Sequence, residues 1–274
     1  MHHLSLALIR YLRGPRRITN RTLVRACIAA ALAAGCTGAH GETVPPFEIV
    51  ARYPHDTAAY TQGLVWDGSV LLESTGRYGR SDLRRVDLRT GRVRRSVRLG
   101  DNRFGEGLAL LKGQLFQLTW ESRVAYVYNA STFAPVDSFT YGGEGWGLTT
   151  DGRLLIMSDG SDSLRFLSPT TRAVQRVVHV THDGSPLKKL NELEYVNGEL
   201  LANIYESDWI ARIDPATGAV RELLDFAELY PRSQRAPGAD VMNGIAQGPQ
   251  PGTLLLTGKL WPTLYEVRLR SPAR

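Results

Sequence analysis

Glu106 stands alone between Gly105 and Gly107 in the stretch FGEGLALLKGQLFQLTW, which begins at Phe104. A carboxylate so placed can take up and return a proton, with an acid strength set by its surroundings. Elsewhere the chain offers amides at Gln62, Asn191 and Asn243, indoles at Trp120 and Trp146, and an ammonium at Lys259. Brought together, these groups describe a pocket with apolar walls and a few convergent polar groups, the usual form of a small-ligand site. An ammonium or an amide N–H there would stabilise a developing negative charge. Each residue also has a plainer reading, because strand ends leave backbone N–H and C=O groups that polar side chains satisfy.

What would bring them together is a repeat. The phrases YTQGLVWDGSVLLEST (from Tyr60), FGEGLALLKGQLFQLTW (Phe104), GWGLTTDGRLLIMSD (Gly145), LNELEYVNGELLANIY (Leu190) and MNGIAQGPQPGTLLLTGK (Met242) align on Gly63, Gly107, Gly147, Glu192 and Gly244, with spacings of 44, 40, 45 and 52. Each holds two short apolar runs around a Gly-containing turn, a hairpin signature, and in the first four units a second hairpin follows. Four strands per unit, repeated five times, predict an all-β, five-bladed β-propeller. The fifth unit is one strand short, and FEIVARYP from Phe47 is expected to supply it, closing the ring between the N- and C-terminal strands. In that architecture the strand-start positions Gln62, Glu106, Trp146, Asn191 and Asn243 face the axis. The strand-end positions Glu73, Ser74, Trp120, Asp159, Tyr205, Thr257 and Lys259 join them on the same face.

The formal charge of +6 does not mark a nucleic-acid binder. Residues 1–41 hold six arginines and no acid, so of the 33 basic residues 27 remain beyond them, against 27 acidic ones. The leader runs from a basic start into ACIAAALAAGC (Ala26 to Cys36), the order of an export signal and too short to span a bilayer. LAAGC resembles a lipobox, with Cys36 as the residue lipidated after cleavage. Ordinary cleavage near Ala39 is the alternative, and Arg16-Arg17 is a poor twin-arginine match. The protein is therefore expected to be exported, either periplasmic or membrane-anchored through Cys36. Cys27 and Cys36 are the only cysteines, so residues 42–274, expected to form a single propeller domain, have no disulfide and no thiol nucleophile.

YTQGL, LLESTGRYGRS, FGEGL, GWGLTTDG, SDGS, LNELEYVNGE and TGKLWPTLYEV together resemble the plant-type glutaminyl-peptide cyclotransferases, a family with bacterial members, from Phe47 to about Leu269. The resemblance implies a five-bladed propeller that converts an N-terminal glutaminyl residue of a peptide or protein to pyroglutamyl, releasing ammonia without a metal or other cofactor. It places the family's essential glutamate on Glu106, its glutamine on Gln62, its lysine on Lys259, its asparagine on Asn191 and two tryptophans on Trp120 and Trp146. Tyr60 stands where Phe is frequent and Tyr205 where Trp is frequent; both are expected to line the substrate pocket. Glu106 would act as general base and then acid, while Lys259, Asn191 and Gln62 share the oxyanion without a ranking.

Two other functions stay open on the residues alone. One is a non-catalytic propeller that binds peptides at its mouth. The other is a metal-dependent propeller hydrolase with Glu106, Asn191 and Asn243 as oxygen ligands. His179 and His182 lack metal spacing and read as surface, with a turn at Asp183-Gly184, and DGSDS from Asp159 is an incomplete calcium loop. The eight arginines between Arg80 and Arg98 read as a solvated face of an outer hairpin, with an anionic membrane surface as the alternative. No aromatic residues interleave with them, so no nucleic-acid partner is expected. Asn129 begins a glycosylation sequon, read as silent in a bacterial protein. The segment Glu228 to Val241 is the longest insertion and is expected to decorate the rim rather than act as a lid. The protein is expected to be a monomer.

Overall fold

In the computed structural model, which describes residues 46–270, each of the five phrases folds into the inner hairpin of a four-stranded antiparallel sheet. The leader residues Arg16, Arg17, Cys27, Cys36 and Ala39 lie outside the described residues. The innermost strands are Thr61–Trp66, Gly105–Leu111, Leu148–Thr150, Leu190–Val196 and Met242–Gln247. Each touches the next, and the last touches the first, so the five sheets close into a propeller. Phe47–Pro54 is the outermost strand of blade 5, antiparallel to Thr263–Leu269 from Phe47↔Leu269 to Pro54↔Thr263, as the missing fifth-unit strand predicted.

The turns explain the repeat. At Lys112-Gly113 and Asn197-Gly198 both residues have positive φ (50° and 78°, 51° and 85°), the conformation that matches a two-residue hairpin to the twist of its strands. In blades 1 to 4 the outer hairpin carries a second recurring device. Asp87, Asn129 and Asp214 each accept backbone N–H bonds on Oδ1, and Ser168 does so on Oγ. Four residues on, Gly91, Phe133, Arg172 and Gly218 take positive φ and donate back to the carbonyl of the turn's first residue. The sequon asparagine Asn129 is therefore one copy of a turn lock.

Burial falls off from axis to rim. The innermost strands are buried along most of their length, whereas the outermost strands Val93–Arg98, Pro135–Thr140 and Val174–His179 are almost wholly exposed. Five separate apolar clusters fill the five blade interfaces. One packs Leu64, Leu71 and Val86 of blade 1 against Ala246, Leu255 and Leu264 of blade 5. Burying each large aliphatic side chain stabilises by about 1.5–3 kcal/mol, so the ring is held by apolar area between blades as well as by ladders within them.

Most of the arginine run is solvated as expected, but Arg84 is not. It is buried, with Asp82 and Asp56 each 2.9 Å away. His179 ends a strand, and His182 opens a hairpin that turns at Asp183-Gly184. The insertion is fastened to the rim: Arg235 and Arg232 both pair with Asp208, Arg235 also lies 5.0 Å over Trp261, and Tyr230 packs edge-on against Trp261 at 5.1 Å. Among the described residues no helix is long and apolar enough to cross a membrane.

Candidate active site

The innermost strands share an irregularity that the sequence pattern does not reveal. Register shifts fall between Thr61 and Gly63, Gly105 and Leu108, Leu190 and Leu193, and Met242 and Ile245. Gln62, Glu106, Asn191 and Asn243 sit within these four bulges. A bulge breaks the alternation of the strand and re-aims a side chain, which is how strand starts turn polar groups toward the axis. The glycines that follow permit close approach. A Cβ on Gly63 would lie 2.5 Å from Leu108 N, and one on Gly147 would lie 2.0 Å from the Asn191 carbonyl. Blade 4 carries Glu192 instead, whose buried carboxyl accepts Leu64 N–H (3.2 Å) and Ile245 N–H (2.8 Å) and so joins three blades at the axis.

A cavity of about 280 Å³ opens at this face, lined by Tyr60, Gln62, Phe104, Glu106, Trp120, Trp146, Asn191, Tyr205 and Lys259. The eight residues on which the family resemblance places the site, Glu106, Gln62, Lys259, Asn191, Trp120, Trp146, Tyr60 and Tyr205, are therefore gathered in one place, and Phe104 joins them. Its ring packs edge-on to Trp120 at 5.7 Å and to Tyr60 at 6.0 Å, and Trp146 meets Tyr205 in the same way at 5.5 Å. The walls are thus a belt of mutually braced rings.

Other axis-facing expectations fail. Asn243 does not line the cavity; its Nδ2 donates to Thr61 O (3.0 Å) and Gln62 Oε1 (3.1 Å), so it braces Gln62, while its Oδ1 is buried without a hydrogen-bond partner. Glu73 is turned into the seam between blades 1 and 5, where it meets His55 Nε2 at 3.0 Å and Thr61 Oγ1 at 2.8 Å. Thr257 donates to Thr263 O (3.0 Å), Ser74 donates to the Glu106 carbonyl, and Asp159 pairs with Arg165 at 3.0 Å. Strand ends alternate in direction, so a polar residue there need not face the mouth. No group of three or more His, Cys, Asp or Glu side chains that would hold a metal ion occurs among the described residues.

Glu106 is 4% exposed, and its Oε1 accepts Gln62 Nε2–H at 2.9 Å. Burial pushes its carboxyl well above the usual range, Lys259 and the Gln62 bond pull it back, and Glu144 adds to the rise. Lys259 Nζ sits between two rings, 4.7 Å from the centre of Tyr60 and 4.9 Å from that of Tyr205. Burial lowers its affinity for a proton, while Glu106 and Asp240 raise it. The Tyr60 hydroxyl is pushed up to about 12 by burial and then by Asp240. Asn191 Oδ1 is buried without a hydrogen-bond partner.

Two contributors escaped the sequence reading. Phe104, one residue before the bulge, carried a signal in its aromatic character beside FGEGL. Glu144, in the loop before Trp146, carried none, yet its Oε2 accepts both indole N–H groups, from Trp120 at 2.7 Å and Trp146 at 2.9 Å.

Comparison with known proteins identifies the family. The family model described as glutamine cyclotransferase matches residues 22–269. The glutaminyl-peptide cyclotransferase of Arabidopsis thaliana is 42% identical over 227 residues, spanning 81% of this chain and 71% of that protein. The crystal structure of Myxococcus xanthus glutaminyl cyclase aligns with a TM-score of 0.75 at 38% identity, over 82% of this chain and 98% of that one. This chain belongs to the glutamine cyclotransferase family.

Proposed function

We propose that this chain is a glutaminyl-peptide cyclotransferase, an ammonia-releasing acyltransferase that closes N-terminal glutaminyl residues of peptides and proteins to pyroglutamyl. The observation that carries the reading is a single buried carboxylate, Glu106, oriented by Gln62 in an aromatic-walled cavity that also holds Lys259.

The substrate's α-amine attacks the carbon of its own side-chain amide, so one C–N bond forms, another breaks, and the side-chain nitrogen leaves as ammonia. Because both partners belong to one residue, holding that residue in its cyclising conformation supplies much of the acceleration. The belt of Phe104, Trp120, Trp146 and Tyr205 does this by excluding extended conformers and water. Glu106 takes the proton lost by the attacking nitrogen and returns it to the departing one. Its raised proton affinity suits both halves of that task. Gln62 already donates to Oε1, which leaves Oε2 for the substrate and makes Gln62 an orienting group rather than the main oxyanion donor. Lys259, held by rings and in no ion pair among the described residues, supplies charge to the tetrahedral oxyanion. Asn191 Oδ1, lacking a partner, accepts from a substrate N–H. Proton transfer and oxyanion stabilisation are thus assigned to side chains, and the reaction is proposed to need no metal.

We further propose an exported protein, periplasmic or held to the membrane by a lipid on Cys36. The basic start and apolar run of the leader support export, and LAAGC supports the lipid. A monomeric state is supported by a ring closed within one chain and by an outer edge strand bearing Arg94, Arg95 and Arg98. The test of function is ammonia release from a short peptide beginning with Gln, beside the same peptide with an acetylated α-amine. Release from the first alone supports cyclisation. Release from both would indicate simple amide hydrolysis, and release from neither would favour a peptide-binding propeller.

A further inference from the structure

The Glu144 carboxylate reaches across two blades. Trp120 follows the second strand of blade 2, Gln114–Thr119, and Trp146 precedes the first strand of blade 3, Leu148–Thr150. Their indole N–H groups converge on one oxygen, Glu144 Oε2. Hydrogen bonds to an ionised acceptor are shorter and about twice as strong as neutral ones, and here two of them fix the orientation of two rings at once. The loop that carries Glu144 is itself held. Arg165 donates to the carbonyls of Gly142 and Glu144 and is anchored at 3.0 Å by Asp159 Oδ2. Behind Trp146, Gly160 leaves no slack, since a Cβ there would lie 2.7 Å from the ring.

We propose that Glu144 is a positioning residue that sets the width of the glutaminyl slot by clamping Trp120 and Trp146. The inference rests on the cyclotransferase reading for its kinetic consequences, but the clamp itself is independent of catalysis. The rings' N–H groups point at Glu144, so the faces and edges left to the cavity are apolar, and the slot selects a substrate side chain by shape.

Two variants separate the accepting oxygen from the charge. Glu144→Gln preserves an accepting oxygen and removes the charge, whereas Glu144→Ala removes both. Indole N–H resonances of the substrate-free protein, assigned with Trp120→Phe and Trp146→Phe, read the clamp directly. The expected result is an upfield move of both resonances in Glu144→Ala and a much smaller one in Glu144→Gln. With a Gln-initiated peptide, Glu144→Ala should raise KM by about 10-fold, the loss of roughly one charge-assisted hydrogen bond. Glu144→Gln should keep KM within about 3-fold, because its side-chain amide oxygen can still accept both indole N–H groups. Arg165→Ala should reproduce the Glu144→Ala pattern in weaker form. Unmoved indole resonances in a folded Glu144→Ala would overturn the clamp, and moved resonances with unchanged KM would overturn its role in the slot. If wild type released no ammonia, the cyclotransferase reading would fall while the resonances still decided the clamp.

Discussion

Replacing His55 by leucine should damage the seam that closes the ring, by an amount that depends on pH. His55 follows the outer strand of blade 5; its Nδ1 lies 2.8 Å from the Trp261 carbonyl and its Nε2 lies 3.0 Å from Glu73 Oε1. Facing two acceptors, the ring makes both bonds only as the imidazolium. Burial is the largest influence on His55 and opposes the charge, but Glu73 and the Trp261 carbonyl outweigh it and raise its pKa. Burial likewise disfavours the Glu73 carboxylate, yet His55, Arg84 and Thr61 together bring its pKa below the ordinary value. Leucine leaves Glu73 buried with Thr61 at 2.8 Å and Arg84 at 3.9 Å. Breaking a buried pair from one side costs about 3–5 kcal/mol. For a domain of this size that lowers Tm by roughly 6–20 °C. The raised His55 pKa contributes stability that is fully present below about pH 6.5 and is lost as pH rises through the folded value. The lowered Glu73 pKa contributes stability that is present above the ordinary carboxylate range and is lost as pH falls through its folded value. The difference in Tm between wild type and His55→Leu, followed by tryptophan fluorescence, should therefore be widest near about pH 6 and narrow toward alkaline pH. A difference that is independent of pH, or that widens as pH rises, would refute the buried imidazolium.

Two further substitutions probe the site. Lys259→Met keeps an apolar stem between Tyr60 and Tyr205 but removes the ammonium, so kcat should fall by about 10²–10³-fold with a smaller change in KM. A variant affected only in KM would assign the oxyanion to another donor. Gly160→Ala should raise KM several-fold with folding intact, because the new methyl meets the Trp146 ring at 2.7 Å and the residue has a φ of +79°. Unaltered steady-state kinetics would show that Trp146 has room to retreat.

The repeat could be read from the chain because turn chemistry is local: Lys112-Gly113 and Asn197-Gly198 need positive φ, and few residues supply it. Glu106 and Gln62 were also readable, since a polar residue beside the glycine at the start of an otherwise apolar strand is anomalous, and Asn191 was readable from its place in the aligned repeat. The directions of strand ends were not. Glu73 lies in the middle of its second strand, Leu71–Thr75, and Lys259 just past the end of its own, Thr253–Gly258; one turns into the seam toward His55 and the other into the cavity. Asn243 shares its bulge position with Glu106, but its amide is drawn to Thr61 and Gln62, partners supplied by the other end of the chain. Glu144 lies in an irregular loop with no periodicity, and only the convergence of two blades gives its carboxylate a function.

Ammonia release from a Gln-initiated peptide by wild type and Glu106→Gln, each with and without EDTA, tests the central claim most directly. Wild type should be unaffected by EDTA, and Glu106→Gln, folded as judged by an unchanged Tm, should lose about 10²–10⁴-fold in kcat. A Glu106→Gln enzyme that retains the wild-type rate, or a wild type silenced by chelation and restored by a divalent metal, would contradict the buried carboxylate as the proton carrier.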